Sequence, residues 1–235
     1  MTALLPRPGF NRLLEGLPQK LRDHLVQTCE SVNLKFGNIL CEADHPFKYA
    51  YFPLTGFISL VAVIDGHHPL EMGLIGNEGM LGATMSLGIT NAPMRALVQG
   101  SGTALRINAA QLRLELLAAP ALVSRLNHYV YVLLAQLSQT AACIHFHEIE
   151  PRLARWLLMT HDRAHKNQLH LTQDFLADML GVRRSGVTVA AGALQERKLI
   201  HYSRGEIIIL DRKGLEAAAC ECYKAVQRDY DQVFA

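Results

Sequence analysis

Charge is scarce in this 235-residue sequence and almost balanced. Lys and Arg number 23, Asp and Glu 21, the formal net charge is +2, and only 19% of residues are charged. Half the residues are hydrophobic, which excludes a disordered or low-complexity chain. The overall charge gives no attraction for a polyanion. Cysteine is sparse as well: Cys29, Cys41, Cys143, Cys220 and Cys222 are odd in number and scattered. That excludes a disulfide framework and favours a reducing cytoplasm. Cys220 and Cys222 lie two apart on a predicted helix, where side chains do not share a face. No metal site and no cofactor are expected, and the thiols are read as buried structural residues. Met1–Phe10 lacks the apolar core of a signal peptide.

Long apolar runs are missing too. The stretch Leu126 to His147 has no Asp, Glu, Lys or Arg and is long enough to span a bilayer, at about 20 residues. Asn127, His128, Gln136, Ser138, Gln139 and Thr140 make it too polar, so a buried soluble helix is expected and no membrane partner. There is no phosphate-binding loop, no HExxH and no Ser/His/Asp arrangement. An enzyme is not expected. A cupin-type metal enzyme is the alternative from that class, but it needs His-x-His and a carboxylate on barrel strands. The sole His-x-His, His145-Phe146-His147, falls at the end of the predicted long helix.

What is present is ordered along the chain. After a short helical start (9–30), apolar runs at Tyr49–Pro53, Gly56–Ile64, Leu70–Ile75, Arg95–Gln99 and Thr103–Ile107 are separated by glycine- and proline-rich turns. Short strands with regular turn spacing predict an antiparallel β-roll of jelly-roll type over 1–120. Residues 121–147 contain neither glycine nor proline. There Leu126, Val130, Leu133, Leu137, Thr140 and Ile144 alternate at spacings of four and three, a heptad-like seam. Beside it runs a second stripe of Leu122, Tyr129, Gln136 and Cys143. One face is expected to cover the β domain and the seam to meet a second copy, giving a two-fold homodimer. Residues 148–235 form the third unit, with Pro151 suited to the first turn of a new helix.

Within that unit, 171–196 read LTQDFLADMLGVRRSGVTVAAGALQE. Thr172 suits an N-cap and Asp174 the first turn. Leu176 and Leu180 share a face, Ala177 leaves room for a crossing helix, and Gly181 supplies the left-handed stop. This is the arrangement of a helix-turn-helix. Arg183 and Arg184 then stand at the positive end of the next helix, which is unfavourable unless an anion is near. A phosphate or a guanine edge satisfies both, since Arg pairs bidentately with O6 and N7. Leu199–Tyr202 and Glu206–Leu210 flank Ser203-Arg204-Gly205, a hairpin that makes Arg204 the tip of a wing.

In this order of parts the chain resembles the Crp/Fnr family of bacterial transcription regulators over nearly its full length. Leu34, Gly37, Ile39, Leu40, Tyr51-Phe52-Pro53 and Gly56 are similar to that family's β-roll opening. LTQDFLADMLGVRRSGVTVAAGALQERKLI is similar to its DNA-binding motif. The resemblance implies an α+β chain with a β-roll, a dimerisation helix and a winged helix-turn-helix. It implies a homodimer on a two-fold symmetric site in double-stranded DNA, with RNA polymerase as a further partner. Arg184 falls where members place a guanine-reading arginine. Ser185 and Val189 replace a glutamate and an arginine of the cyclic-AMP-responsive members. Arg183, Arg184, Ser185 and Thr188 are therefore expected at or near base edges, and Thr172, Gln173 and Arg204 on phosphates.

The cyclic-nucleotide pocket of such members is altered. Gly82 is followed by Ala83 where a ribose-binding glutamate is expected. Met94 stands where the phosphate arginine belongs, with Arg95 one place off and so facing the other side of its strand. Cyclic AMP is not the expected effector. A cyclic-nucleotide-responsive regulator stays as the alternative, and an unknown small-molecule effector remains open. The N-terminal half holds only Cys29 and Cys41, too few for the iron–sulfur branch.

Charge position completes the reading. Residues 1–147 carry 10 basic and 9 acidic groups, 148–213 carry 11 and 8, and 214–235 carry 2 and 4. Within 183–204 five basic residues face one acidic residue, Glu196. A local basic surface lies hidden in a balanced total.

Overall fold

The structure, a computed structural model, describes residues 9–234. The signal-peptide expectation therefore falls mostly outside the described residues. The helical start is two helices, α1 (Arg12–Glu15) and α2 (Gln19–Thr28), separated at Pro18. Asn11 explains the first. Its side chain accepts from Leu13 N at 3.1 Å and donates to the carbonyls of Pro53 at 3.0 Å and Gly79 at 2.8 Å. It thus caps α1 and ties it to the β domain.

Seven strands follow: β1 (Glu30–Leu34), β2 (Ile39–Cys41), β3 (Tyr49–Pro53), β4 (Phe57–Ala62), β5 (Leu70–Ile75), β6 (Arg95–Gly100) and β7 (Gly102–Asn108). They form two antiparallel sheets, ordered β1-β7-β3 and β2-β6-β4-β5. Composition did not mark β1 and β2, because both are short and show mostly polar or half-exposed positions. β4 and β5 break the usual alternation of buried and exposed residues. Ile58 and Ile75, paired across the strands, enter the β-roll core, while Phe57 and Leu74 enter a second core on the other face. One hairpin serves two hydrophobic interiors, so it reads as a continuous apolar run.

Helix α3 (Ala109–Ala118) leads to α4 (Pro120–Phe146), with Pro120 at its first position. Tyr129 of α4 is fully buried against Gly79, where a Cβ would lie 2.1 Å from its hydroxyl. Only glycine permits that approach. Among the described residues no helix is long and apolar enough to cross a membrane.

The second core is built from α5 (Ile149–Ala164), β8 (Gln168–His170), α6 (Gln173–Leu180), α7 (Arg184–Glu196), β9 (Ile200–Ser203), β10 (Glu206–Ile209) and α8 (Arg212–Ala218). Its sheet is ordered β8-β10-β9. The last helix, α9 (Cys222–Phe234), behaves differently. It lies along α4, and Val226 and Tyr230 are buried in the β-roll core. Tyr223 near its start stays in the second core, so α9 spans both interiors. The amphipathic α9 finds its apolar partner back on the first core.

Two expected seam residues of α4 need correction. Leu126 is 0% exposed and Thr140 7% exposed within the single chain, and both are used in its own packing. They leave no surface for a second copy. Val130, Leu133, Leu137 and Ile144 are half-buried, whereas Tyr131 and Leu134 are each 60% exposed. The free apolar face is rotated away from the seam because the chain's own packing takes the other side: Leu122, Tyr129 and Val132 enter the β-roll core, Gln136 bonds to Leu74 of β5, and Cys143 packs on Cys220 and Cys222.

Candidate nucleic-acid interface

The two helices of the motif are joined by a tight corner. Thr172 Oγ1 accepts from Phe175 N at 3.2 Å, capping α6. Gly181 adopts φ 63° and ends it, its N–H bonding to the carbonyls of Ala177 and Asp178. Leu70 of β5 lies 2.7 Å from where a Cβ would stand on Gly181. Left-handed backbone and close approach both require glycine here. Val187, Ala190, Ala191 and Leu194 turn α7 inward, and Val187 and Leu194 are 0% exposed. Gly186 has a reason the sequence did not disclose. A Cβ there would sit 2.6 Å from Ile149 Cδ1, so the start of α5 packs against the first turn of α7.

The outward side of α7 is what remains. Arg183 is its N-cap and makes no side-chain capping bond, and the first turn holds no acid. Arg183, Arg184, Ser185, Thr188 and Val189 are all exposed, Val189 to 74%. The exposed valine is the position that sequence reading noted only as a replacement. In a groove an aliphatic tip of this kind suits a thymine methyl.

Gln173 organises part of this surface. Its Oε1 accepts from Thr188 Oγ1 at 2.9 Å and from Arg184 Nε at 3.4 Å. Arg184 also lies 3.5 Å from Asp174, with both side chains more than 60% exposed. An exposed pair of that kind contributes about 0–1 kcal/mol and yields to a phosphate or a base.

The wing closes the site. Ser203 pairs with Glu206, leaving Arg204 and Gly205 as a two-residue turn with φ 50° and 82°, the signature of a type I′ hairpin. A non-glycine residue in this region costs about 1 kcal/mol, so Arg204 is retained at the tip against a local preference for Asn or Gly. Leu171 N donates to Gly205 O at 2.6 Å, and Tyr202 hydroxyl donates to Leu171 O at 2.9 Å, holding the wing against the start of α6. At the wing base, hydrogen bonds from His170 and Gln168 hold the Glu206 carboxyl below the usual range.

Thr172, Gln173, Arg184 and Arg204 line one open cleft together with Asp174 and Tyr202. The structure thus brings four of the seven expected contact residues to one cleft. Arg183, Ser185 and Thr188 stand exposed on the adjoining part of α7.

The expected effector positions are placed as follows. Gly82 (φ 91°) and Ala83 start a 3-10 turn, Ala83–Leu87, and both are buried. Met94 packs on the β-roll core, whereas Arg95 faces away and its Nε donates to Glu42 Oε2 at 2.7 Å. His145 and His147 sit at the end of α4, outside the β-roll, so no cupin-type ligand set is assembled there.

Comparison with known proteins gives a consistent picture. Residues 151–218 match the family model described as a Crp-like helix-turn-helix domain. A search of curated protein sequences finds no match. Among solved structures, FixK2 from Bradyrhizobium japonicum is similar with a TM-score of 0.68 at 14% identity, covering 82% of this chain and 98% of that one. A Crp/Fnr-family transcriptional regulator from Thermus thermophilus is similar with a TM-score of 0.66 at 24% identity, covering 81% and 98%. A Crp/Fnr-family regulator from Eubacterium rectale gives 0.64 at 18% identity, covering 88% and 96%.

Proposed function

We propose that the chain is a DNA-binding transcription regulator of Crp/Fnr type, on the match of residues 151–218 to the Crp-like helix-turn-helix domain, and that it acts as a homodimer. In this reading α7 enters the major groove of each half of a two-fold symmetric site. The observation that carries it is the outward face of α7: two arginines, a serine, a threonine and a valine exposed at an acid-free helix N-terminus. Arg184, Ser185, Thr188 and Val189 meet base edges, with Arg183 beside them. Thr172, Gln173 and Arg204 hold the backbone, since phosphate contacts position and base contacts specify. RNA polymerase is the further partner, on the family resemblance alone.

The effector is a ligand other than cyclic AMP. Two features support this: the inward position is Met94, and Arg95 is engaged with Glu42 on the outside. Burying a cyclic phosphate against a methionine leaves its charge uncompensated. The three units are a β-roll over 1–120, a dimerisation helix over 121–147 and a DNA-binding unit beyond.

Footprinting of the purified protein on its own genome, with and without cyclic AMP, tests the reading. Protected two-fold sites of equal occupancy are expected in both cases. Arg184→Ala is expected to lose about 1–3 kcal/mol of specific binding and to relax preference at one base of each half-site. Absence of salt-sensitive, site-selective protection by the wild type overturns the assignment.

The dimer face has its own check. Leu134→Arg places a charge in the exposed apolar strip of α4, and light scattering should report a shift from dimer to monomer. The same variant remaining a dimer would move the interface elsewhere.

A further inference from the structure

The sequence argued against a metal site because Cys220 and Cys222 were placed on one helix. The fold removes that objection. Cys220 lies in the link between α8 and α9, and Cys222 is the first residue of α9. The link folds onto the end of α4, where Cys143 and His147 lie one turn apart on the same side. Four ligand atoms from two separate segments converge, all within 4.8 Å of one another.

The geometry points to a binding site for one zinc-class divalent cation, held tetrahedrally by Cys143, His147, Cys220 and Cys222. Sulfurs bound to zinc at about 2.3 Å stand about 3.7 Å apart across a tetrahedral edge. Cys143 Sγ and Cys220 Sγ are 3.6 Å apart, and Cys222 Sγ is 3.4 Å from His147 Nδ1. Three thiolates and one imidazole are a recurrent structural zinc set. The close spacing suits a single ion and leaves no room for a polynuclear iron–sulfur core.

The surroundings match a ligand set as well. His147 Nε2, the ring nitrogen turned away from the sulfurs, lies 3.2 Å from Glu221 Oε1. A carboxylate in that place fixes the tautomer and orientation of a metal-bound histidine. Gln139 Nε2 donates to Cys222 Sγ at 3.0 Å. Three thiolates around a divalent ion leave one negative charge, and the buried Arg155 of α5 supplies positive potential at Cys143.

Binding displaces the thiol protons to solvent and makes no change in oxidation state. Its mechanical effect follows from the location. His147 caps α4 and, with Glu148, forms the extended corner into α5. A bound ion therefore clasps the corner that carries the winged helix to the root of α9.

The full-length protein, purified under reducing conditions, provides the test. Elemental analysis should find one zinc per chain, and Co(II) added to metal-stripped protein should give the visible bands of a tetrahedral thiolate complex. Cys222→Ser and His147→Ala should lose those bands, and Cys41→Ser should keep them. Because a ligand variant can fail by misfolding, Glu221→Gln serves as the second measure. Its side chain is 79% exposed, and it should retain the bands with affinity about 10- to 100-fold lower. Wild-type protein that contains no zinc and gives no cobalt bands after full reduction overturns the site. So does metal binding that Cys222→Ser and Glu221→Gln both leave unchanged.

Discussion

Arg163→Met should destabilise the protein by about 3–5 kcal/mol, the range for removing one partner of a buried ion pair. Arg163, on α5, contacts Glu78 through Nε at 2.8 Å and a terminal nitrogen at 2.7 Å, with both side chains under a tenth exposed. Its other terminal nitrogen donates to Met159 O at 2.9 Å. Glu78 also accepts from Gly76 N at 3.1 Å and lies 3.5 Å from the Tyr230 hydroxyl of α9. The pair therefore joins the loop after β5, the first helix of the winged-helix unit and α9. Methionine fills similar volume but leaves a buried carboxylate without its cation. The double variant Glu78→Gln/Arg163→Met should recover most of the loss, because no unpaired charge then remains. Urea denaturation of the wild type and the two variants decides it. A single-variant loss below about 1 kcal/mol would mean that solvent reaches the carboxylate and that the pair does not hold the units together.

The second large effect is a pH dependence at Glu71 of β5. Burial pushes its carboxyl up from 4.5 to about 7, against the lowering effect of hydrogen bonds from Ser59 Oγ and Trp156 Nε1, each at 2.7 Å. The folded protein thus holds this proton more tightly than the unfolded chain. The resulting stability is fully present below about pH 4.5 and is lost as the pH rises through about 7. At about 1.4 kcal/mol per unit the change comes to about 3.5 kcal/mol. Glu71→Gln should abolish this component, so the variant gains on the wild type progressively between about pH 5 and 7 and stays ahead above it. Denaturation midpoints across that range, compared as a difference between the two proteins, cancel the histidines common to both. A difference that does not change with pH would show that Glu71 remains charged in the folded state. Trp156 lies on α5, so this buried carboxyl sits in the contact between the β-roll and the winged-helix unit.

The readable parts of this protein were those whose reason is local. Thr172, Gly181 and the Arg204-Gly205 turn are placed by capping, by positive φ and by a two-residue hairpin. Their chemistry is visible in a few neighbouring residues. The exposed arginines of α7 were legible as a violation of the helix dipole. The strands β1 and β2 were not legible, because short edge strands with polar faces carry no clear alternation. The apolar period of α4 was legible as two stripes on one helix. A period of 3.5 marks apolar stripes without saying which partner takes each, so Leu126 and Thr140 were assigned to the wrong neighbour.

The sequence by itself determined the order of units, the helix-turn-helix and its basic face, since each follows from spacing within about 30 residues. Tertiary structure alone decided three things. It sent α9 back to the first core, it buried Glu78 with Arg163 and Glu71 with Trp156, and it gathered Cys143, His147, Cys220 and Cys222. In each case the partners stand about 70 or more positions apart along the chain. Periodicity reports which side of an element is apolar. Which distant element covers that side, and which polar groups meet there, is settled only when the whole chain closes on itself.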